Sequence, residues 1–162
     1  VNNEKWNTRF MTIAKLVATW SRHPIDQTSS QRNGCVIVNE AHAVLSTGYN
    51  GLPRGCNYDL PERTSRPDRS LWFEHAERNA IFNAAAHGVV LKGTTIYVPW
   101  FPCAACMRAI IQSGIATLVC ARPSFADPKW GHEFAIATQM AKESGLAVEC
   151  YEERDDTIEA AS

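Results

Sequence analysis

The stretch Thr94-Thr95-Ile96-Tyr97-Val98-Pro99-Trp100-Phe101-Pro102-Cys103-Ala104-Ala105-Cys106 decides how this chain folds. Its first five residues are all β-branched or aromatic and none breaks a strand, so 94–98 reads as a strand. Pro102 suits the start of a helix, and the run Cys103 to Ser113 ends before Gly114, a good stop residue. A strand passing straight into a helix is the unit of an α/β protein.

Working outward, the same unit recurs. Downstream, Ala116 to Cys120 reads as a strand, 132–144 as a helix ended by Gly145, and Leu146 to Tyr151 as a last strand. Upstream, Glu74 to His87 is rich in helix formers and stops at Gly88. Cys35 to Val38 and Ala43 to Tyr49 form two strands joined by a turn at Asn39 to Ala41. Trp6, Phe10, Ile13, Val17 and Trp20 recur at helical steps and predict an amphipathic first helix. Ser21 to Asn33 reads as a loop. Asn50 to Arg69, with three prolines and two glycines, reads as a long loop of functional length. The order α-β-β-α-β-α-β-α-β predicts an α/β fold with a mixed sheet of about five strands and helices on its faces.

The chain has 162 residues, 45% hydrophobic and 20% charged, which predicts one domain over 1–151 followed by an acidic tail at 152–162. The tail holds five acids and one base, and the body before it carries 15 bases against 12 acids. That surplus is too weak for binding along a nucleic-acid polymer. No segment approaches the roughly 20 apolar residues that span a membrane, and no charged-then-apolar leader is visible. Of six cysteines, Cys35, Cys120 and Cys150 fall in apolar strand runs and are expected to be buried small hydrophobes. Cys56 lies in a polar loop. This cysteine usage predicts a reducing, cytoplasmic setting.

The chemistry is carried by His75-Ala76-Glu77 and Pro102-Cys103-Ala104-Ala105-Cys106. Each begins a predicted helix, which places His75 and Glu77 in a first turn and sets Cys103 and Cys106 on one face. Helix N-termini favour thiolate over thiol. His75, Cys103 and Cys106 supply three metal ligands, and with no fourth ligand nearby the site matches a catalytic zinc (Zn2+) with an open position. Glu77 is then free to act as a proton shuttle. A C-x-x-C alone is as readily a redox pair or half of a zinc knuckle, and an H-x-E alone arises by chance. Together, in this order, they match the H-x-E…P-C-x-x-C signature of zinc-dependent nucleobase deaminases.

At this point the chain resembles the deoxycytidylate (dCMP) deaminase family of the cytidine deaminase superfamily. The resemblance spans about Ser30 to Phe125. It rests on Gly34-Cys35-Val36-Ile37-Val38-Asn39, Gly48-Tyr49-Asn50-Gly51-Leu52-Pro53, His75-Ala76-Glu77-Arg78-Asn79-Ala80-Ile81, Tyr97-Val98, Phe101-Pro102-Cys103-Ala104-Ala105-Cys106 and Ile110-Ile111-Gln112-Ser113-Gly114-Ile115. It implies a three-layer α-β-α cytidine deaminase-like fold and hydrolysis of dCMP to dUMP and ammonia, with Glu77 catalytic and His75, Cys103 and Cys106 on zinc. It further implies that Asn50 contacts the sugar and the Ala76 backbone N–H the base. The bland alternative for Asn50-Gly51 is a turn.

Trp100, Phe101 and Pro102 form the mouth of the implied pocket, although an edge-of-core role suits Trp100 equally. Phe125 is a candidate base contact, with core packing as the alternative. Arg54, Arg63, Arg66, Arg69 and Arg122 are candidates for the substrate phosphate, each with a solvated surface role as the alternative. The family is commonly a homo-oligomer, often a hexamer, and regulated members respond to dCTP and dTTP. Asn33 departs from the valine usual there and puts such activation in question. Other substrates (a modified dCMP, guanine, a tRNA adenosine) keep the same zinc chemistry. A non-catalytic zinc-stabilised binding subunit is the reading from another class.

Overall fold

Thr95–Val98 occupies the centre of a five-stranded sheet, as its buried, β-branched composition requires. The structure is a computed structural model and describes residues 3–24 and 32–152. Within them the elements run α1 (Asn3–Ala18), β1 (Gly34–Val38), β2 (Val44–Tyr49), α2 (Pro61–Thr64), α3 (Arg69–Trp72), α4 (Ala76–Ala86), β3 (Thr95–Val98), α5 (Ala104–Gln112), β4 (Thr117–Cys120), α6 (Gly131–Ser144) and β5 (Ala147–Cys150). The sheet order is β2-β1-β3-β4-β5. β1 runs antiparallel to β2 and β3, whereas β3, β4 and β5 are parallel. The expected mixed sheet is therefore present.

Alternation along the strands divides the core into two layers. Cys35, Ile37, Ile96, Val98, Leu118 and Cys120 face α4, α5 and α6, and join Ala76, Ala80, Met107, Ile110 and Ala137. Val36, Val38, Tyr97 and Val119 face α1 through Phe10, Met11 and Ala14. This is a helix–sheet–helix sandwich. Full burial of side chains such as Ile37, Ile96 and Leu118 stabilises the fold by about 1.5–3 kcal/mol each.

Three expectations are corrected. The helical stripe of α1 ends at Val17, and Trp20 lies past the helix with 55% of its surface exposed. The loop from Asn50 to Arg69 contains the single-turn helices α2 and α3, the second running on to Trp72. Four residues are too few to show a helical period, so the sequence pattern cannot announce them. Cys150 is exposed, because β5 is an outer strand. Cys35 and Cys120 are buried as expected. Of the acidic tail, 153–162 lies outside the described residues.

The docking of α4 matters most for function. Asn50 donates its backbone N–H to the Asn33 carbonyl, so by antiparallel alternation the carbonyls of Thr47, Tyr49 and Gly51 point away from β1. All three are taken by one segment. The Asn83 side-chain amide donates to Thr47 O (2.7 Å), the Asn79 amide to Tyr49 O (2.8 Å), and the Glu74 backbone N–H to Gly51 O (2.8 Å). Ser46 Oγ donates to Ala80 O at 2.7 Å. A Cβ on Gly48 would strike the Ala76 carbonyl and the Ala80 nitrogen, both helix backbone. Gly48→Ala is thus expected to push α4 off the sheet and destabilise the protein by about 1–3 kcal/mol. Denaturant unfolding checks this, and turnover should fall further than stability because His75 and Glu77 move with the helix.

Candidate active site

The metal-ligand candidates come together where the starts of α4 and α5 meet. His75 is the N-cap of α4 and Cys103 the N-cap of α5, both with extended backbone; Cys106 lies in the first turn of α5. His75 is therefore one residue outside the helical turn expected for it. His75 Nδ1 lies 3.5 Å from Cys103 Sγ and 3.4 Å from Cys106 Sγ. With zinc–nitrogen and zinc–sulfur bonds near 2.0 and 2.3 Å, a tetrahedral N···S edge is about 3.6 Å. The three donors thus have the spacing of a tetrahedral zinc cage, and all lie within 4.8 Å of one another. Among the described residues no other His, Cys, Asp or Glu group of this kind occurs.

The electrostatics suit a cation. Cys103 is held down at about 4, first by the hydrogen bond from the Cys106 thiol and then by His75. Cys106 is pushed well up, first by that shared hydrogen bond and then by burial. The pair shares one proton, which a dication displaces. His75 is raised, chiefly by its bond to Cys103. Beside the cage Glu77 is only 3% exposed, and its Oε2 has no hydrogen-bond partner. Burial raises its pKa, opposed by the His75 charge. An acceptor oxygen buried without a partner is destabilising, so its retention marks a working group rather than a packing one.

The surrounding residues that sequence reasoning missed are the ones that hold this cage. Glu74 exchanges two backbone bonds with Gly51. Its Oε1 also accepts the His75 backbone N–H at 2.9 Å and pairs with Arg78. The Arg78 guanidinium in turn acts on both thiols. Glu133, at the start of α6, accepts the Ala104 N–H at 3.3 Å and anchors the start of α5. The polar i, i+4 pair Asn79 and Asn83, on an alanine-rich helix, was the one available signal. Arg78→Leu is expected to weaken zinc binding by about 10–100-fold, the usual effect of losing an outer partner. Competition with a chromogenic chelator measures it.

The proposed substrate residues fall into two groups. Asn50, 7% exposed, is tied down at the end of β2: its Oδ1 accepts the Asn33 N–H at 2.8 Å and its carbonyl accepts Ser21 Oγ–H at 2.6 Å. It serves the turn reading, and the residue after it, Gly51, pairs with Glu74 beside His75. Ala76 is buried at the start of α4, where helix geometry leaves its N–H without an intrahelical acceptor. Phe101 and Pro102 are buried, whereas Trp100 is 46% exposed, which fits the pocket mouth and the edge of the core equally. Phe101, Arg122 and Phe125 line a separate cleft of about 390 Å³ with Thr138, Val148 and Cys150. Phe125 is 57% exposed, so the core alternative is excluded. Arg122 pairs with Glu152 at 3.4 Å. Among the other arginines, Arg54 bonds Asn83, Arg63 stacks on Trp72, and Arg69 is buried rather than solvated.

A His-Cys-Cys cage beside a buried carboxylate, on this sheet, defines a zinc-dependent deaminase. The chain matches the cytidine and deoxycytidylate deaminase zinc-binding region over residues 4–122, and it belongs to that family. It is 32% identical over 146 residues to an uncharacterised deaminase of the luxG 3′ region of Aliivibrio fischeri, covering 89% of this chain and 92% of that protein. It is 37% identical over 147 residues to mouse deoxycytidylate deaminase, covering 88% and 77%. In three dimensions it resembles a cyanophage S-TIM5 dCMP deaminase solved in complex with dCMP and dUMP, with a TM-score of 0.70 over 91% of this chain and 97% of that one. At 20% identity that likeness shows the shared fold.

Proposed function

We propose that the protein hydrolyses the 4-amino group of dCMP, giving dUMP and ammonia. The observation that carries this is the unpartnered, buried Glu77 Oε2 beside a three-donor cage. His75, Cys103 and Cys106 would hold zinc, which when bound would supply a Lewis acid to make water a nucleophile at neutral pH. Glu77 takes the proton from that water as it adds to C4. It then passes that proton to the ring N3, takes the proton of the new C4 hydroxyl and delivers it to the amine, which departs as ammonia. The raised pKa of Glu77 suits both directions of transfer. In this reading the Ala76 N–H binds the base carbonyl, and Asn50, next to the loop clasped to Glu74, fixes the sugar. The mouse deoxycytidylate deaminase, similar over 88% of this chain, supports the choice of substrate.

Ammonia release from a panel of dCMP, deoxycytidine, cytidine monophosphate, 5-methyl-dCMP and guanine tests this reading. Turnover of dCMP well above that of deoxycytidine is the expected result. No turnover of any cytosine nucleotide overturns it. Homo-oligomeric assembly belongs to the same proposal, supported by the exposed Leu16, Trp20, Tyr49 and Phe82 on α1, β2 and α4 and their junctions; sedimentation decides it. Control by dCTP and dTTP is tested by adding either to the dCMP assay. Among the described residues no helix is long and apolar enough to cross a membrane. A cytoplasmic setting is supported by six cysteines of which none is in a disulfide.

A further inference from the structure

The outer strand β5 carries a thiol directly opposite another. Cys150 is the register partner of Cys120 on β4, as Val148 is of Leu118. Partners on adjacent strands project from the same face, and adjacent strands lie about 4.7–4.9 Å apart. A disulfide spans Cα atoms roughly 4.4–6.8 Å apart. Each member of the pair is a free cysteine, Cys120 with no exposed surface and Cys150 exposed. Cys150 also opens onto the 390 Å³ cleft, which gives a small oxidant a path to it. All four residues of β5 are exposed and the sheet order places no strand outside it, while the Tyr151 N–H donates to the Cys120 carbonyl at 2.7 Å and holds the two cysteines in register.

We propose that Cys120 and Cys150 form an oxidative modification site, separate from the zinc cage, that closes to a disulfide under hydrogen peroxide. Cys150 reacts first, because it is the accessible thiol. Its sulfur takes up one oxygen to become a sulfenic acid, and the peroxide is reduced to water. The Cys120 sulfur then attacks the Cys150 sulfur. The S–O bond breaks, the Cys120 proton leaves with the hydroxyl as a second water, and the S–S bond forms. Two thiols lose two electrons and two protons in all. Exposed disulfides are the readily reduced ones, so the closure is reversible by thiols. It would tie the last residue of β4 to the strand edge and fix the wall of the cleft that includes Arg122 and Phe125.

The test uses the zinc-loaded full chain, treated with hydrogen peroxide, alkylated under denaturing conditions and digested with trypsin. The expected product joins the peptide 109–129 to the peptide 143–154 with loss of two hydrogens, and dithiothreitol restores both thiols. Cys150→Ser, an exposed and conservative change, should reduce the cross-linked species to background and leave Cys120 as an alkylated thiol. Cys120→Ala should instead carry Cys150 to sulfinic acid or to dimers linked through it. If wild-type protein shows sulfinic Cys150 or Cys150-linked dimers while Cys120 stays a thiol, the proposal fails. It also fails if Cys103–Cys106 is the only disulfide found.

Discussion

Glu77→Gln is expected to lower turnover by at least about 10²–10⁴-fold, the range that a positioned acid–base group contributes. The amide keeps the size and burial of the carboxyl but cannot carry the proton. Zinc content should remain at the wild-type level, because His75, Cys103 and Cys106 are unchanged. Thermal stability should not fall. Burial disfavours the charged form of Glu77, so a neutral side chain of the same shape removes a desolvation penalty. Ammonia release, metal analysis and a melting curve on one preparation separate the two readings of the site. A non-catalytic zinc-stabilised subunit would show no change in its behaviour, while the deaminase loses only its chemistry.

Cys106→Ala acts on the other half. Cys106 has no exposed surface, sits in the first turn of α5 and holds its sulfur 3.4 Å from His75 Nδ1. Its removal leaves two ligands, and zinc affinity should fall by more than the roughly 10–100-fold expected when only an outer partner is lost. It also takes away the hydrogen bond that holds the Cys103 thiol down near 4, so the remaining cysteine becomes a poorer thiolate. The expected protein is substoichiometric in zinc, melts lower than wild type and loses turnover in step with its metal. Zinc retained at one equivalent, by metal analysis after dialysis against a weak chelator, would remove Cys106 from the ligand set.

Much of this was legible in the residue pattern because the signals are local. The periods of 2 and 3.6, Gly88, Gly114 and Gly145 after helix ends, and Pro102 before Cys103 are each read within a dozen residues. The cage was legible for the same reason: two short motifs, each at a helix start. What was not legible depends on neighbours far along the chain. That Cys150 is exposed while Cys120 is buried follows from strand order, which no period encodes. Trp20 continues a helical spacing, yet the helix has already ended. Glu74 and Asn83 gain their roles only when β2 lies against α4. Phe125 and Arg122 follow β4 closely, but the cleft they line is closed by α6 and β5.

The way α4 lies along β2 has a consequence for what else can approach this protein. An outer strand ordinarily offers a row of bare carbonyls to any extended peptide, the usual route to unwanted cross-chain pairing. Here a guest strand at β2 would have to evict the amides of Asn79 and Asn83 and unfasten Gly51 from Glu74. The last of these would disturb His75 itself. The same three bonds that seat the metal-bearing helix therefore serve as a guard rail against aggregation on that flank, and a single lesion there would threaten solubility and chemistry together.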